Sequence, residues 1–273
     1  MGERTKIEWA THTFNPWWGC LKVSEACKNC YAEAWAKRMG QKVWGASAPR
    51  RAFTDNHWGQ PLKWQKRLSA ENKRERVFCA SMADVFEDRR DLDPHRERLW
   101  ALIDATPNLD WLLLTKRPGV VERIAPWGNS WPENVWLGTT VELQHRANEN
   151  LPALTAVPAK VRFISAEPLL GPLDLSEWID DLDWVITGGE SGPKARPASP
   201  TWFRNLHLQC MASNVPFHFK QWGDWAPGDG ENLARYRTQA AADGTTMVRV
   251  GKKQAGRSLD GSVFDGMPTR LRA

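Results

Sequence analysis

Three of the five cysteines in this 273-residue chain sit in one short stretch, at Cys20, Cys27 and Cys30, with the spacing C-x6-C-x2-C. Packing gives no reason to place three thiols so close together. As thiolates they bind metal. Three of them suit a [4Fe–4S] cluster whose fourth iron stays open to a small molecule. The alternative is a structural zinc that takes a fourth ligand from His12 or His57. Zinc sites usually pair two Cys-x-x-Cys-like arms, and only one is present here, Cys27-Lys-Asn-Cys30, so the spacing favours the cluster. The other two cysteines, Cys79 in an apolar run and Cys210 in a helical stretch, read as small core residues.

The segment after Cys30, Tyr31-Ala-Glu-Ala-Trp-Ala-Lys-Arg-Met39 before Gly40, has acid early, base late and a glycine stop. It predicts a helix whose free N-terminal amides lie beside Cys30 and favour negative charge there. From Arg76 onward, apolar runs alternate with helical segments, among them 145–154 and 201–213. The runs are 77–81, 110–114, 134–138, 161–164, 183–187 and 215–219, with a first strand near Thr13–Trp18. Near-continuous apolar runs of this length are buried parallel strands. The spacing therefore predicts an α/β fold: a full or partial (β/α) TIM-type barrel with a mostly parallel sheet over residues 1–222. A small C-terminal extension, 223–273, packs on it. In that extension Thr246–Val250 and Ser258–Phe264 read as a hairpin around residues 251–257. The stretch from Gly40 to Lys73 reads as loop and short helix with aromatic plugs.

Each run ends in polar residues, and the C-terminal ends of barrel strands form the catalytic face. Asp84, Lys116, Thr140, Glu167, Glu190 and Lys220 are therefore expected around one mouth with Cys20. Glu167, Glu190, Lys116 and Lys220 are the candidate catalytic residues. Gly188, Gly189, Glu190, Thr140 and Ser165 are the candidate cofactor-binding residues. Cys20, Cys27 and Cys30 are the candidate metal ligands. Glu142 and Arg117 also end strands, and a buried carboxylate there needs a partner. A hydrolytic site built on Glu167 and Glu190 is a competing reading, as is a non-enzymatic nucleic-acid-binding module with a structural metal.

Bulk properties narrow the classes. Hydrophobic residues make up 41% of the chain and charged residues 25%, which is ordinary for a soluble protein. Seventeen tryptophans are scattered rather than banded. The net charge of +5 and pI near 9.0 suit an anionic partner, a nucleotide or nucleic acid. No apolar run is long enough to span a bilayer, and the first residues lack a secretory apolar region. A cytoplasmic protein with reduced cysteines is expected. The glycine-rich fingerprints of dinucleotide and P-loop sites are absent, as are H-E-x-x-H, G-x-S-x-G and the kinase set.

The cysteine loop after a first barrel strand resembles the radical S-adenosylmethionine (SAM) superfamily. More closely, the chain is similar to a phage-associated family of unknown function with a radical-SAM-like cysteine motif. The matching residues are Lys6–Trp9, Asn15-Pro16, Gly19-Cys20, Cys27–Ala32, Leu114–Pro118, Val135–Gly138, Ser165–Pro172, Gly188–Gly192, Phe219–Gly223 and Gly251–Lys253. The resemblance implies that Cys20, Cys27 and Cys30 bind a [4Fe–4S] cluster. It implies that the open iron holds SAM, and that a reductant supplies the electron that cleaves SAM to start radical chemistry on an unknown substrate. The chain departs from the commonest superfamily pattern in its first gap, six residues instead of three. It also has Asn29 where an aromatic usually precedes the last cysteine, and its Gly188-Gly189-Glu190 comes late in the barrel.

Overall fold

The computed structural model describes residues 3–228 and 233–268. Part of the turn-rich start of the extension, residues 229–232, lies outside them. Seven strands form one parallel sheet, and their order across it is their order along the chain: β1 (His12–Thr13), β2 (Glu75–Cys79), β3 (Leu109–Thr115), β4 (Val135–Thr140), β5 (Val161–Ala166), β6 (Trp184–Gly188) and β7 (Phe217–Gln221). β1 and β7 do not pair with each other, so the sheet curls into a partial barrel. The longer intervening helices are α1 (Tyr31–Arg38), α2 (Gln60–Glu71), α3 (Asp93–Asp104), α4 (Gln144–Thr155) and α5 (Pro200–Ala212), with single turns at Asp55–Trp58 and Val121–Ile124.

The two-residue strand period sorts side chains between two cores. On β3, Leu109, Trp111 and Leu113 join the larger core. It also holds Leu99 and Ile103 of α3, Leu151 of α4 and Phe203 of α5. Leu112 turns the other way and joins Phe78, Trp136, Phe163, Trp184 and Ile186 in a smaller cluster. That cluster fills the concave side of the sheet. Gly138 makes room for it: a Cβ there would come within 2.4 Å of the Phe163 ring. Continuing the same parity up each strand puts Lys116, Thr140, Ser165, Gly188 and Lys220 on the concave side, above this aromatic floor.

Three expectations are corrected. The first strand is shorter than Thr13–Trp18, because Trp17–Trp18 leaves the sheet and pairs antiparallel with Arg51–Ala52. The stretch from Gly40 to Lys73 contains a full helix, α2, with Pro61 in its first turn and Asn72 as a left-handed cap. Its polar outer face hid the buried pair Trp64 and Leu68, one turn apart. The expected hairpin does not form. Instead β8 (Trp225–Pro227), β9 (Thr238–Ala240) and β10 (Thr246–Arg249) make a separate antiparallel sheet in the order β8-β10-β9. Lys252–Ala255 is one helical turn. The following chain runs along β7: Phe219 N donates to Phe264 O at 3.0 Å and Gly266 N to Phe217 O at 2.9 Å. Among the described residues, no helix is long and apolar enough to cross a membrane.

His218 on β7 sits edge-on to Trp184 with 2% of its side chain exposed. Neither ring nitrogen has a hydrogen-bond partner among the described residues, since Asp265 Oδ1 lies 3.8 Å away. Burial holds its pKa down at about 4; Arg257 pushes the same way and Asp265 opposes. Burial also lowers His12 and His57.

Two outcomes are expected. Gly138→Ala lowers the unfolding free energy by about 1–3 kcal/mol, and adding Phe163→Leu restores most of it in urea titrations. A depressed histidine pKa costs stability as the pH falls below the unfolded value. The folded protein therefore loses about 2 kcal/mol at His218 between pH 7 and pH 5. His218→Phe flattens that part of the acid limb, measured by urea unfolding at the two pH values.

Candidate functional site

The cysteine loop is tied to the ends of several strands at once. At its start, Asn15 Oδ1 accepts from Met82 N at 2.7 Å and Asn15 Nδ2 donates to Ser81 Oγ at 3.1 Å, just past β2. Gly19 follows with φ +117°. A Cβ there would meet the Val43 carbonyl at 2.2 Å, so only glycine fits the turn into Cys20. Cys20 Sγ lies 3.8 Å from Nη1 of Arg117, beyond the end of β3. Arg117 also donates to Asp84 Oδ2 at 2.6 Å and to Leu21 O at 2.6 Å. A 3-10 turn, Glu25–Asn29, carries Cys27, whose Sγ lies 3.7 Å from Ser24 Oγ. Ala26 N donates to Glu142 Oε1 at 3.0 Å, beyond β4. Asn29 Nδ2 donates to Glu190 Oε2 at 3.1 Å, beyond β6. Cys30 then opens α1.

These contacts set the charge around each sulfur. Burial pushes the Cys20 thiol up to about 12 and Asp84 adds to this, while Arg117 pulls the other way. Burial also raises Cys30, opposed by the backbone N–H groups of Glu33 and Ala32 in the first turn of α1 and by Lys116. The expected helix N-terminus beside Cys30 is thus present.

On the concave side, Lys116 Nζ donates to Thr140 Oγ1 at 3.1 Å, and Thr140 is in register with Ser165 across β4 and β5. Lys220 Nζ donates to Glu167 Oε2 at 2.9 Å and Gln221 Nε2 to Oε1 at 2.9 Å. Lys116, Thr140, Glu167 and Lys220 therefore form two neighbouring polar pairs above the aromatic floor.

Glu190 does something different. Its carboxylate, 4% exposed, forms a forked ion pair with Arg196, Nε to Oε2 at 2.8 Å and Nη2 to Oε1 at 2.5 Å. Arg196 N and Asn29 also donate to it. Four donors make it an anchor for the cysteine loop, which argues against a hydrolytic couple with Glu167. The glycines before it serve packing. A Cβ on Gly189 would lie 1.9 Å from the Trp222 carbonyl, and one on Gly188 would lie 3.2 Å from the Gln221 carbonyl. Sequence reasoning left Glu142, Arg117, Asn15, Asn29 and Arg196 out of the site. The first two ended strands and were visible as such; Arg196, in an irregular loop, gave no periodic signal. Glu142 is fully buried, and its Oε2 has no hydrogen-bond partner among the described residues.

The zinc alternative loses both candidate fourth ligands. His12 Nε2 is 2.7 Å from Glu75 Oε2 and its ring stacks on Trp64. His57 Nε2 is 2.9 Å from Asn15 O, and its ring stacks on Phe14 and Phe53. Both rings are committed to packing.

Residues 4–268 match the model of a family described as a protein of unknown function, DUF5131. The chain belongs to this family. No curated protein matches it. Its fold is similar to solved structures of spore photoproduct lyase. One is a double mutant with bound AdoMet and dinucleoside spore photoproduct, 13% identical, covering 91% of this chain and 71% of that one, with a TM-score of 0.48. Another is a cysteine-to-serine mutant, 12% identical, covering 93% and 72%, with a TM-score of 0.49.

The donor set suits an iron–sulfur cluster in kind. It offers three thiols, cationic Arg117 and Lys116 beside two of them, and helix amides on Cys30. Among the described residues, no three Cys, His, Asp or Glu side chains are gathered into a metal-binding group. The loop has its ligands close in sequence and its backbone anchored.

Glu190→Ala should release that anchor. It removes the carboxylate that Arg196 and Asn29 share, while each keeps a backbone acceptor, Glu25 O and Lys194 O, and it lowers stability by about 1–3 kcal/mol. Hydrogen exchange at the amides of residues 26–30 should accelerate about tenfold or more, read by mass spectrometry. Unchanged exchange would mean the loop is held elsewhere.

Proposed function

We propose that this protein is a radical-SAM-like iron–sulfur enzyme, with Cys20, Cys27 and Cys30 as the protein ligands of a [4Fe–4S] cluster. The observation that carries this reading is the loop's attachment: it hangs from the C-terminal ends of four parallel strands, through Asp84–Arg117, Glu142 and Glu190. Cys20, Cys27 and Cys30 would hold the cluster, and when bound it would supply one-electron reducing chemistry toward SAM.

The chain's own residues bind and orient. Arg117 and the α1 amides offset the negative charge that three thiolates bring into a buried site. Each thiol must lose its proton on loading, so loading is favoured by higher pH. Lys116, next to Thr140, carries the cation for the SAM carboxylate. Glu167, held between Lys220 and Gln221, presents a carboxylate for the amine. Phe163, Trp136 and Trp184 close the barrel below and keep water from the radical. Glu142 and Glu190 hold the loop in place. The electron comes from a separate reductant. A reducing cytoplasm is the compartment that keeps the three thiols free for metal.

Anaerobic purification followed by iron, sulfide and zinc analysis tests the reading. About four irons and four sulfides per chain are expected, falling to near zero in a Cys20→Ala, Cys27→Ala, Cys30→Ala variant. The reduced protein incubated with SAM should form 5′-deoxyadenosine. One tightly held zinc and no iron would overturn the proposal.

A further inference from the structure

A cleft of about 710 Å³ runs along α1 and shares Lys28, Asn29 and Cys30 with the end of the cysteine loop. Its walls combine aromatic faces and cations. Tyr31 and Trp35, one helical turn apart, are 58% and 44% exposed. The opposite side of the helix, Ala32 and Ala36, is buried. Trp35 is the one exposed tryptophan of the chain's seventeen, all of which lie among the described residues. Every other tryptophan is at least partly covered, so this ring stands out by its surroundings. Arg38 lies one further turn along, its guanidinium 5.9 Å from the Trp35 ring centre. Tyr31 is held by a 2.8 Å hydrogen bond from its hydroxyl to Ser81 O.

Lys28, Lys37, Arg38 and Lys194 face the cleft against one carboxylate, Glu33. That carboxylate is already neutralised by Lys22 at 2.6 Å and Lys37 at 2.7 Å. Exposed rings set between cations on one helix face match the two halves of an unpaired nucleotide. A flat base stacks on an aromatic, and a phosphate takes a lysine or arginine. A duplex offers no free base face to Trp35, and a simple polyanion has no use for the ring.

We infer that this cleft binds a single-stranded nucleic acid, with a base on Trp35 and the flanking phosphates on Lys28, Arg38 and Lys194. The inference deepens the radical-SAM reading, because a strand lying there reaches the wall that Cys30 shares with the cluster loop. The binding itself requires no cluster.

The test is fluorescence anisotropy of labelled 12-nucleotide strands, DNA and RNA in parallel arms, titrated with the full chain in its metal-free form. Expected is binding of at least one single strand about tenfold or more tighter than the matching duplex. Trp35→Ala should weaken it about tenfold and Trp35→Phe much less. Lys194→Ala should flatten the salt dependence by about 0.7 in slope, the value for one lost phosphate contact on a single strand. Circular dichroism of each variant checks the fold, and an exposed ring can be removed without disturbing it. Equal affinity for strand, duplex and heparin, or Trp35→Ala binding like the parent, would overturn the inference. Failure here with iron loading and SAM cleavage intact sinks the strand site alone. Strand binding together with no iron in the anaerobically purified protein sinks the redox reading alone.

Discussion

Seven strands running in one direction deliver all their C-terminal ends to one rim, and every contact of the cysteine loop depends on that. A parallel sheet has no other way to bring residues 84, 117, 142 and 190 under a segment at 20–30. Around this rim the chain places two kinds of group. Those beyond the strand ends, Asp84–Arg117, Glu142 and Glu190–Arg196, grip the loop from below. Those still on the strand parity, Lys116 and Thr140, with Lys220 and its partner Glu167, face the hollow. The division keeps structural charges apart from charges left for a ligand.

Burial gives the grip its strength. An ion pair in water contributes little, but the Glu190 carboxylate is shut in, and removing Arg196 would leave that enclosed charge short of donors. Glu142 is enclosed as well: its Oε1 accepts from Ala26 N, and among the described residues its Oε2 has no hydrogen-bond partner.

Much of this was readable in the sequence, for particular reasons. Buried parallel strands are continuous apolar runs, so six of the seven stood out, and α1, α4 and α5 fell within a residue or two of their observed limits. What failed was what lacks period. β1 is two residues long, and Trp17–Trp18 were drawn into a separate ribbon by Arg51–Ala52. α2 is stabilised by only a narrow apolar stripe. The role of Glu190 could not be read, because its partner Arg196 sits in an irregular loop and nothing in spacing announces a forked ion pair. The close approach at Gly188 and Gly189, against the backbone of β7 and the turn after it, left no mark in the spacing. That requirement exists only in three dimensions.

The unclosed barrel has a cost that its C-terminal segment meets. A parallel sheet that stops short of a circle leaves rows of unpaired amides and carbonyls along both outer strands, open to any passing extended chain. One margin is only His12–Thr13, too short to recruit a neighbour. The other, Phe217–Gln221, is bordered by residues 264–266, which run against it and cap Trp184 as well. The tail is thus a selvedge: it lets the sheet stay unfinished without unravelling into intermolecular pairing, and so keeps the hollow accessible from a side that a full circle would have sealed.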